Sequence, residues 1–116
     1  MYKRHALGKM GENMAVKYLE RKGYKILERN FYCKRGEVDI IAIDKDYLVF
    51  IEIKTRASNE YGLPSESVTK RKIKHMMDTI QYFLYTRHLE NENIRIDVIE
   101  IYTDDRIKIN HLKQVI

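Results

Sequence analysis

One cysteine and one proline are the scarcest features of this 116-residue chain. Cys33 has no partner for an internal disulfide, and a secreted domain of this size generally leans on several, so a reducing intracellular setting is expected. No Cys/His pattern surrounds Cys33, which reads as structural, not reactive. Long apolar runs are missing as well: the longest, 40–43 and 47–51, fall far short of the roughly 18 residues of a membrane span. The basic start, Met1 to Lys9, runs into charged residues where an export signal needs an unbroken apolar stretch. These absences lead to the expectation of a soluble cytoplasmic protein with no membrane partner. Repeats, low-complexity tracts and linkers are also lacking, and the length suits a single domain over 1–116.

What is present is ample apolar content, 44%, and an excess of base: 22 Lys and Arg against 17 Asp and Glu leave a net charge of +5. A basic balance in so small a protein favours polyanionic partners, nucleic acid first among them.

Leu7, Met10, Met14, Ala15, Tyr18 and Leu19 recur at helical spacing, and Gly23 follows as a terminator, which predicts an amphipathic helix ending near Lys22. Residues 24–32 read as a strand, with a turn at Lys34-Arg35-Gly36. Two stronger strands, 37–43 and 47–54, are separated by Asp44-Lys45-Asp46, the spacing of an antiparallel hairpin. Both are apolar on both faces apart from a few positions, as in central strands covered on each side. Segment 57–65, with Ser58, Asn59, Gly62 and Pro64, reads as a loop. A helix is predicted from about Glu66 to Leu89, with Ile73, Met76, Met77, Ile80 and Leu84 as its apolar stripe. Residues 94–102 alternate as a strand, Asp104-Asp105 make a turn, and 107–112 form a short edge strand. The order implies an α/β fold, a mixed sheet with helices packed on it.

If Lys45 and Asp46 form the tip of the hairpin, paired residue numbers sum to 91 and Asp39 faces Glu52. Directly opposed residues point to the same face about 5 Å apart, and alternation puts Lys54 there too. Ile41, Ile43, Leu48 and Phe50 share that face, so the charges sit in apolar surroundings. A salt-bridge cluster on a solvated face is the alternative. Opposed carboxylates destabilise a sheet unless a cation offsets them, and hard oxygen donors suit Mg²⁺ or Mn²⁺.

Asp39, twelve residues, then Glu52-Ile53-Lys54 resembles the Asp…Glu-x-Lys signature of restriction-endonuclease-like nucleases, among them archaeal Holliday-junction resolvases. A closer resemblance spans most of the chain. Gly8-x-x-Gly11-Glu12-x-x-Ala15, Gly23-Tyr24-x-Ile26-Leu27-x-Arg29-Asn30, Gly36-Glu37-Val38-Asp39-Ile40-Ile41 and Phe50-Ile51-Glu52-Ile53-Lys54-Thr55-Arg56 are similar to the bacterial YraN family of predicted endonucleases. Val38 stands where the signature commonly has proline. The resemblance implies a restriction-endonuclease-like mixed β-sheet flanked by helices and metal-dependent hydrolysis of DNA phosphodiesters by a structure-selective endonuclease in repair or recombination. It implies that Asp39, Glu52 and the Ile53 carbonyl hold Mg²⁺ or Mn²⁺ and that Lys54 is the catalytic cation; Glu12, on the helical side of Ala15 and Leu19, reads either as a further ligand like the first-helix glutamate of resolvase-like nucleases, with Gly8 and Gly11 letting the helix approach closely, or as an exposed helix glutamate. Resolvases that cut symmetric junctions usually need two sites, which implies a homodimer. The competing expectation is a non-catalytic nucleic-acid-binding or scaffold protein retaining the nuclease fold.

Lys70, Arg71, Lys72 and Lys74 begin a helix, where positive charge opposes the macrodipole; a phosphate-binding patch is one reading and an ordinary charged face the other. Arg35, Lys34 and Arg56 would extend that patch and contact phosphates, not bases. Glu37 reads as a salt-bridge residue as readily as a metal contact, and Gln81-x-x-x-Tyr85 faintly resembles a helix motif of exonucleases in this superfamily. His5, His75, His88 and His111 lack zinc spacing and read as surface residues.

Overall fold

The computed structural model describes residues 2–56, 69–103 and 106–116. Helix α1 (Tyr2–Arg21) is followed by strands β1 (Lys25–Cys33), β2 (Gly36–Asp44) and β3 (Tyr47–Arg56), helix α2 (Lys70–Thr86), and strands β4 (Asn93–Thr103) and β5 (Ile107–Leu112). The expected loop at 57–65, the first residues of the expected second helix and the Asp104-Asp105 turn lie outside the described residues.

The strands lie in the order β1-β2-β3-β4-β5, with β3 and β4 parallel and the other neighbours antiparallel. This is the restriction-endonuclease-like architecture, a mixed sheet flanked by helices. Among the described residues no helix is long and apolar enough to cross a membrane.

Strand alternation supplies two cores. Ile40, Ala42, Val49, Ile51, Ile99 and Ile101 pack with Ala15, Leu19 and Tyr24 on the α1 side. Ile41, Leu48, Phe50 and Ile96 pack with Met76, Ile80, Phe83 and Leu84 of α2 on the other. Central strands covered on both faces account for the near-continuous apolar runs that sequence analysis met in β2 and β3.

Both helices close with the same device. Gly23 takes φ 93 while Tyr24 N–H donates to Leu19 O at 2.9 Å and Gly23 N–H to Glu20 O at 3.0 Å. At the end of α2, His88 takes φ 57 while Leu89 N–H donates to Leu84 O at 2.8 Å and His88 N–H to Tyr85 O at 3.3 Å. Left-handed residues here let the last carbonyls find donors. Thr69 caps the start of α2, its Oγ1 accepting from Lys72 N–H at 3.1 Å.

Gly11 sets how closely α1 approaches β3: a Cβ at this position would overlap the Thr55 hydroxyl and stand 3.2 Å from Thr55 Cβ. Gly8 has open space around it and carries no such duty. Gly11→Ala is expected to destabilise the fold by about 1–3 kcal/mol through overpacking, and Thr55→Ala to restore part of that loss; urea denaturation of the two single variants and the double variant checks the coupling.

Candidate active site

The β2–β3 hairpin has the register expected of it, from Asp44↔Tyr47 to Ile40↔Ile51, every pair summing to 91. There the main-chain pairing stops, one position short of Asp39 and Glu52. Asp39 is also skipped in the pairing of β2 with β1, opposite Asn30, which takes the left-handed φ of 54. Instead of a regular ladder, the Asp39 Oδ2 accepts from Ile53 N–H at 2.8 Å. The side chain thus spans the opening between β2 and β3.

Strict alternation fails at this point. Val38 and Ile41 both pack in the α2-side core, whereas Ile40 between them packs on the α1 side. Period-two geometry counted from Ile41 and Ile43 therefore does not set the position of Asp39, whose carboxylate meets the Ile53 N–H of β3. Burial pushes its pKa up from 3.8 to about 6, against the lowering effect of the Ile53 N–H; the charges of Glu52, Glu37 and Glu12 raise it further.

Glu52 and Lys54 continue the face that Leu48 and Phe50 begin, the α2 side. Lys54 Nζ stands 3.7 Å from Glu52 Oε1, both side chains half-buried. Lys72 of α2 joins them: burial holds its ammonium below the usual lysine value, and the neighbouring Lys54 and Arg56 lower it further while Glu52 opposes them. Glu100, fully buried, is the register partner of Lys54 on β4 and accepts from Asn110 Nδ2 at 2.9 Å. Glu100 carries no local motif; its only signal in the sequence is a carboxylate on the strand face that Ile96 and Val98 make apolar.

Glu12 is close enough for its charge to raise the pKa of Asp39, yet it is already engaged. Arg29 donates to Glu12 Oε2 from Nε at 2.8 Å and from Nη2, and Asn30 Nδ2 donates to the same oxygen at 3.3 Å. Among the described residues no three His, Cys, Asp or Glu side chains come together as a ready metal cluster. The carboxylates of Glu52, Glu37 and Glu12 all lie near enough to act on Asp39, and Ile53 meets it through its N–H.

Of the expected basic residues, Lys72 and Arg56 act on one another beside Lys54, while Arg35 lies with Tyr82 and Arg87 of the second half of α2. Arg35 lies in the turn before β2, Arg56 ends β3, and Lys70, Lys72 and Lys74 occupy the first turns of α2. Gly36 makes the junction, since a Cβ there would stand 2.8 Å from Thr79 Oγ1 of α2.

A second polar cluster on the α1 side escaped sequence analysis. Buried Asp97 accepts from Arg95 Nε at 2.9 Å and from Gln114 N–H at 3.0 Å, and meets His111 Nε2 at 2.7 Å. Arg95 also bridges to Asp44 at 3.0 Å, and Tyr18 Oη lies 2.9 Å from His111 Nδ1. His111, expected at the surface, has a side chain only 7% exposed because Asp97 and two tyrosines enclose it. His75 and His88 are exposed as expected, and the side chain of His5 lies outside the described residues.

Comparison with known proteins gives one consistent answer. The model of "Uncharacterised protein family UPF0102" matches residues 11–101, a stretch that contains Glu12, Asp39, Glu52, Lys54 and Glu100. UPF0102 protein CPE1705 of Clostridium perfringens is 44% identical over 111 residues, covering 93% of this chain and 91% of its own. UPF0102 protein TTE1452 of Caldanaerobacter subterraneus is 42% identical over 110 residues, covering 91% and 90%. A UPF0102 protein of Clostridium botulinum is 50% identical over 96 residues, covering 82% and 78%. With its site residues inside the matched stretch and its relatives aligned over most of their length, this chain belongs to the UPF0102 family, the YraN family that its motifs resemble.

Proposed function

We propose that this protein is a divalent-metal-dependent nuclease that hydrolyses DNA phosphodiesters, acting as a structure-selective endonuclease in repair or recombination. The observation that carries the reading is the opening of the β2–β3 ladder, where Asp39 is held by Ile53 N–H beside the Glu52–Lys54 pair. A sheet gains nothing in stability from interrupting its pairing to hold a half-buried carboxylate near a second one. A cation site gains its ligands from that arrangement.

The donor chemistry fits Mg²⁺ or Mn²⁺: two carboxylates and a main-chain carbonyl are hard oxygen donors, and Mg²⁺ usually takes one or two carboxylates together with substrate phosphate. When bound, such an ion supplies Lewis-acid polarisation of phosphate and lowers the pKa of water. Asp39 and Glu52 would hold it, with the Ile53 carbonyl completing the protein's share. Lys54 orients the attacking water and stabilises negative charge on the phosphoryl oxygens, a role suited to a cation already fixed beside Glu52. Arg35, Arg56, Lys70, Lys72 and Lys74 engage backbone phosphates, which positions DNA without reading its sequence.

The second reading, a nucleic-acid-binding or scaffold protein without turnover, draws support from the engagement of Glu12 by Arg29, which occupies a carboxylate otherwise suited to a metal. Cleavage assays on branched, single-stranded and duplex DNA with Mg²⁺, Mn²⁺ or EDTA decide between the two. Metal-dependent cutting by the wild type is expected, with Glu52→Gln and Lys54→Ala each reducing it by about 10²–10³-fold while circular dichroism stays unchanged. Equal cutting by the wild type and both variants contradicts the nuclease reading.

A further inference from the structure

A groove of about 900 Å³ runs between β1 and the second half of α2, lined by Phe31, Tyr32, Lys34, Arg35, Tyr82 and Arg87 among others, with no carboxylate among the described residues of its walls. Tyr32 is 77% exposed and Tyr82 41%, so neither ring is placed there by core packing. Phe31 fixes the floor: its ring centroid lies 6.5 Å from that of Tyr82 and 5.1 Å from that of Phe83, which belongs to the core. Arg87 is tied to Glu28 at 2.9 Å and lies over the Phe83 ring at 4.7 Å. Exposed Lys34 and Arg35, in the turn before β2, supply the groove's positive mouth. That turn is pressed against α2 at Gly36 and Thr79, which lies on α2 between Lys72 and the groove residue Tyr82.

We propose that this groove binds an unpaired stretch of nucleic acid, its bases stacking on Tyr32 and Tyr82 and its phosphates held by Lys34 and Arg35. Exposed aromatic faces interleaved with cations are what single strands require, because every base offers a π face and every linkage a negative charge. A duplex hides those base faces inside its own stack. The inference rests on the nuclease reading for nucleic acid as the ligand and narrows its substrate class to DNA with a single-stranded segment beside the cut.

The test is fluorescence anisotropy with a short labelled oligothymidylate, in EDTA and at low salt. The wild type is expected to bind, Tyr32→Ala to weaken binding about tenfold and Tyr32→Phe to retain it, since one lost stacking contact amounts to about that factor. Arg35→Ala is expected to reduce the slope of log affinity against log salt by about 0.7. A duplex of equal length should show no loss with Tyr32→Ala. Equal oligothymidylate affinity for the wild type, Tyr32→Ala and Tyr82→Ala overturns the proposal, and so does an equal loss on the duplex. Because metal is chelated, the outcome is independent of cleavage: an inactive protein that still binds through Tyr32 separates failure of the nuclease reading from failure of this one.

Discussion

Asp39→Asn is expected to abolish metal-dependent cleavage and, in metal-free buffer, to make the fold more stable at neutral pH by about 1–2 kcal/mol. The amide removes a metal ligand, while its carbonyl oxygen still accepts from Ile53 N–H. Burial raises the folded-state pKa of Asp39 to about 6 from an ordinary 3.8. A carboxyl shifted upward contributes stability that is fully present below its unfolded value and lost as pH rises through its folded value. Two units would amount to about 3 kcal/mol, reduced here because the side chain is only partly removed from solvent. Urea denaturation of the wild type and variant between about pH 4 and pH 8 measures the difference, which should grow as Asp39 ionises. A variant no more stable than the wild type at neutral pH would show that the carboxylate carries no burial cost, removing the argument that a cation is needed to offset it.

Asp97→Ala should have the largest effect on folding, a loss of about 3–5 kcal/mol, because truncating one partner of a buried ion pair strands the other. The stranded groups are Arg95, 7% exposed at the side chain, the Gln114 N–H and the Asp97-facing nitrogen of His111. Against a total stability of roughly 5–15 kcal/mol this is a severe change. Burial opposes ionisation of Asp97, yet His111, Arg95 and the Gln114 N–H outweigh it and hold the pKa down to about 2. Its contribution is therefore present above the ordinary carboxylate value and lost as pH falls through about 2. The same carboxylate anchors the chain beyond β5, where Val115 N–H donates to Ile96 O at 2.8 Å. Hydrogen exchange on Asp97→Ala should show residues 113–116 losing protection first. A variant within about 1 kcal/mol of the wild type would mean that Arg95 finds full compensation from Asp44 alone.

The hairpin was legible because its cues are local: period-two apolar runs fix the faces, and a short polar tip fixes the register that pairs Ile40 with Ile51. The same rule failed one residue later. Pairing numbers locate Asp39 opposite Glu52 but cannot reveal that a side chain will take the Ile53 N–H and break the alternation of β2. Glu100 and His111 were opaque for a related reason. His111 is held by Asp97 across the β4–β5 pair and by Tyr18 of α1, and Glu100 by Asn110 across the same pair, so neither carries a signature in its immediate neighbourhood. Glu12 lies near enough for its charge to act on Asp39, an approach that Gly11 allows, but its pairing with Arg29 depends on where β1 crosses α1.

The most direct test of the nuclease reading is titration calorimetry of Mn²⁺ into the wild type and Asp39→Asn, with cleavage of branched, single-stranded and duplex DNA assayed in the same samples. The account predicts saturable Mn²⁺ binding and metal-dependent cutting by the wild type, both lost in Asp39→Asn. A wild type that binds no Mn²⁺ and cuts none of the three DNAs would contradict it and leave the scaffold reading.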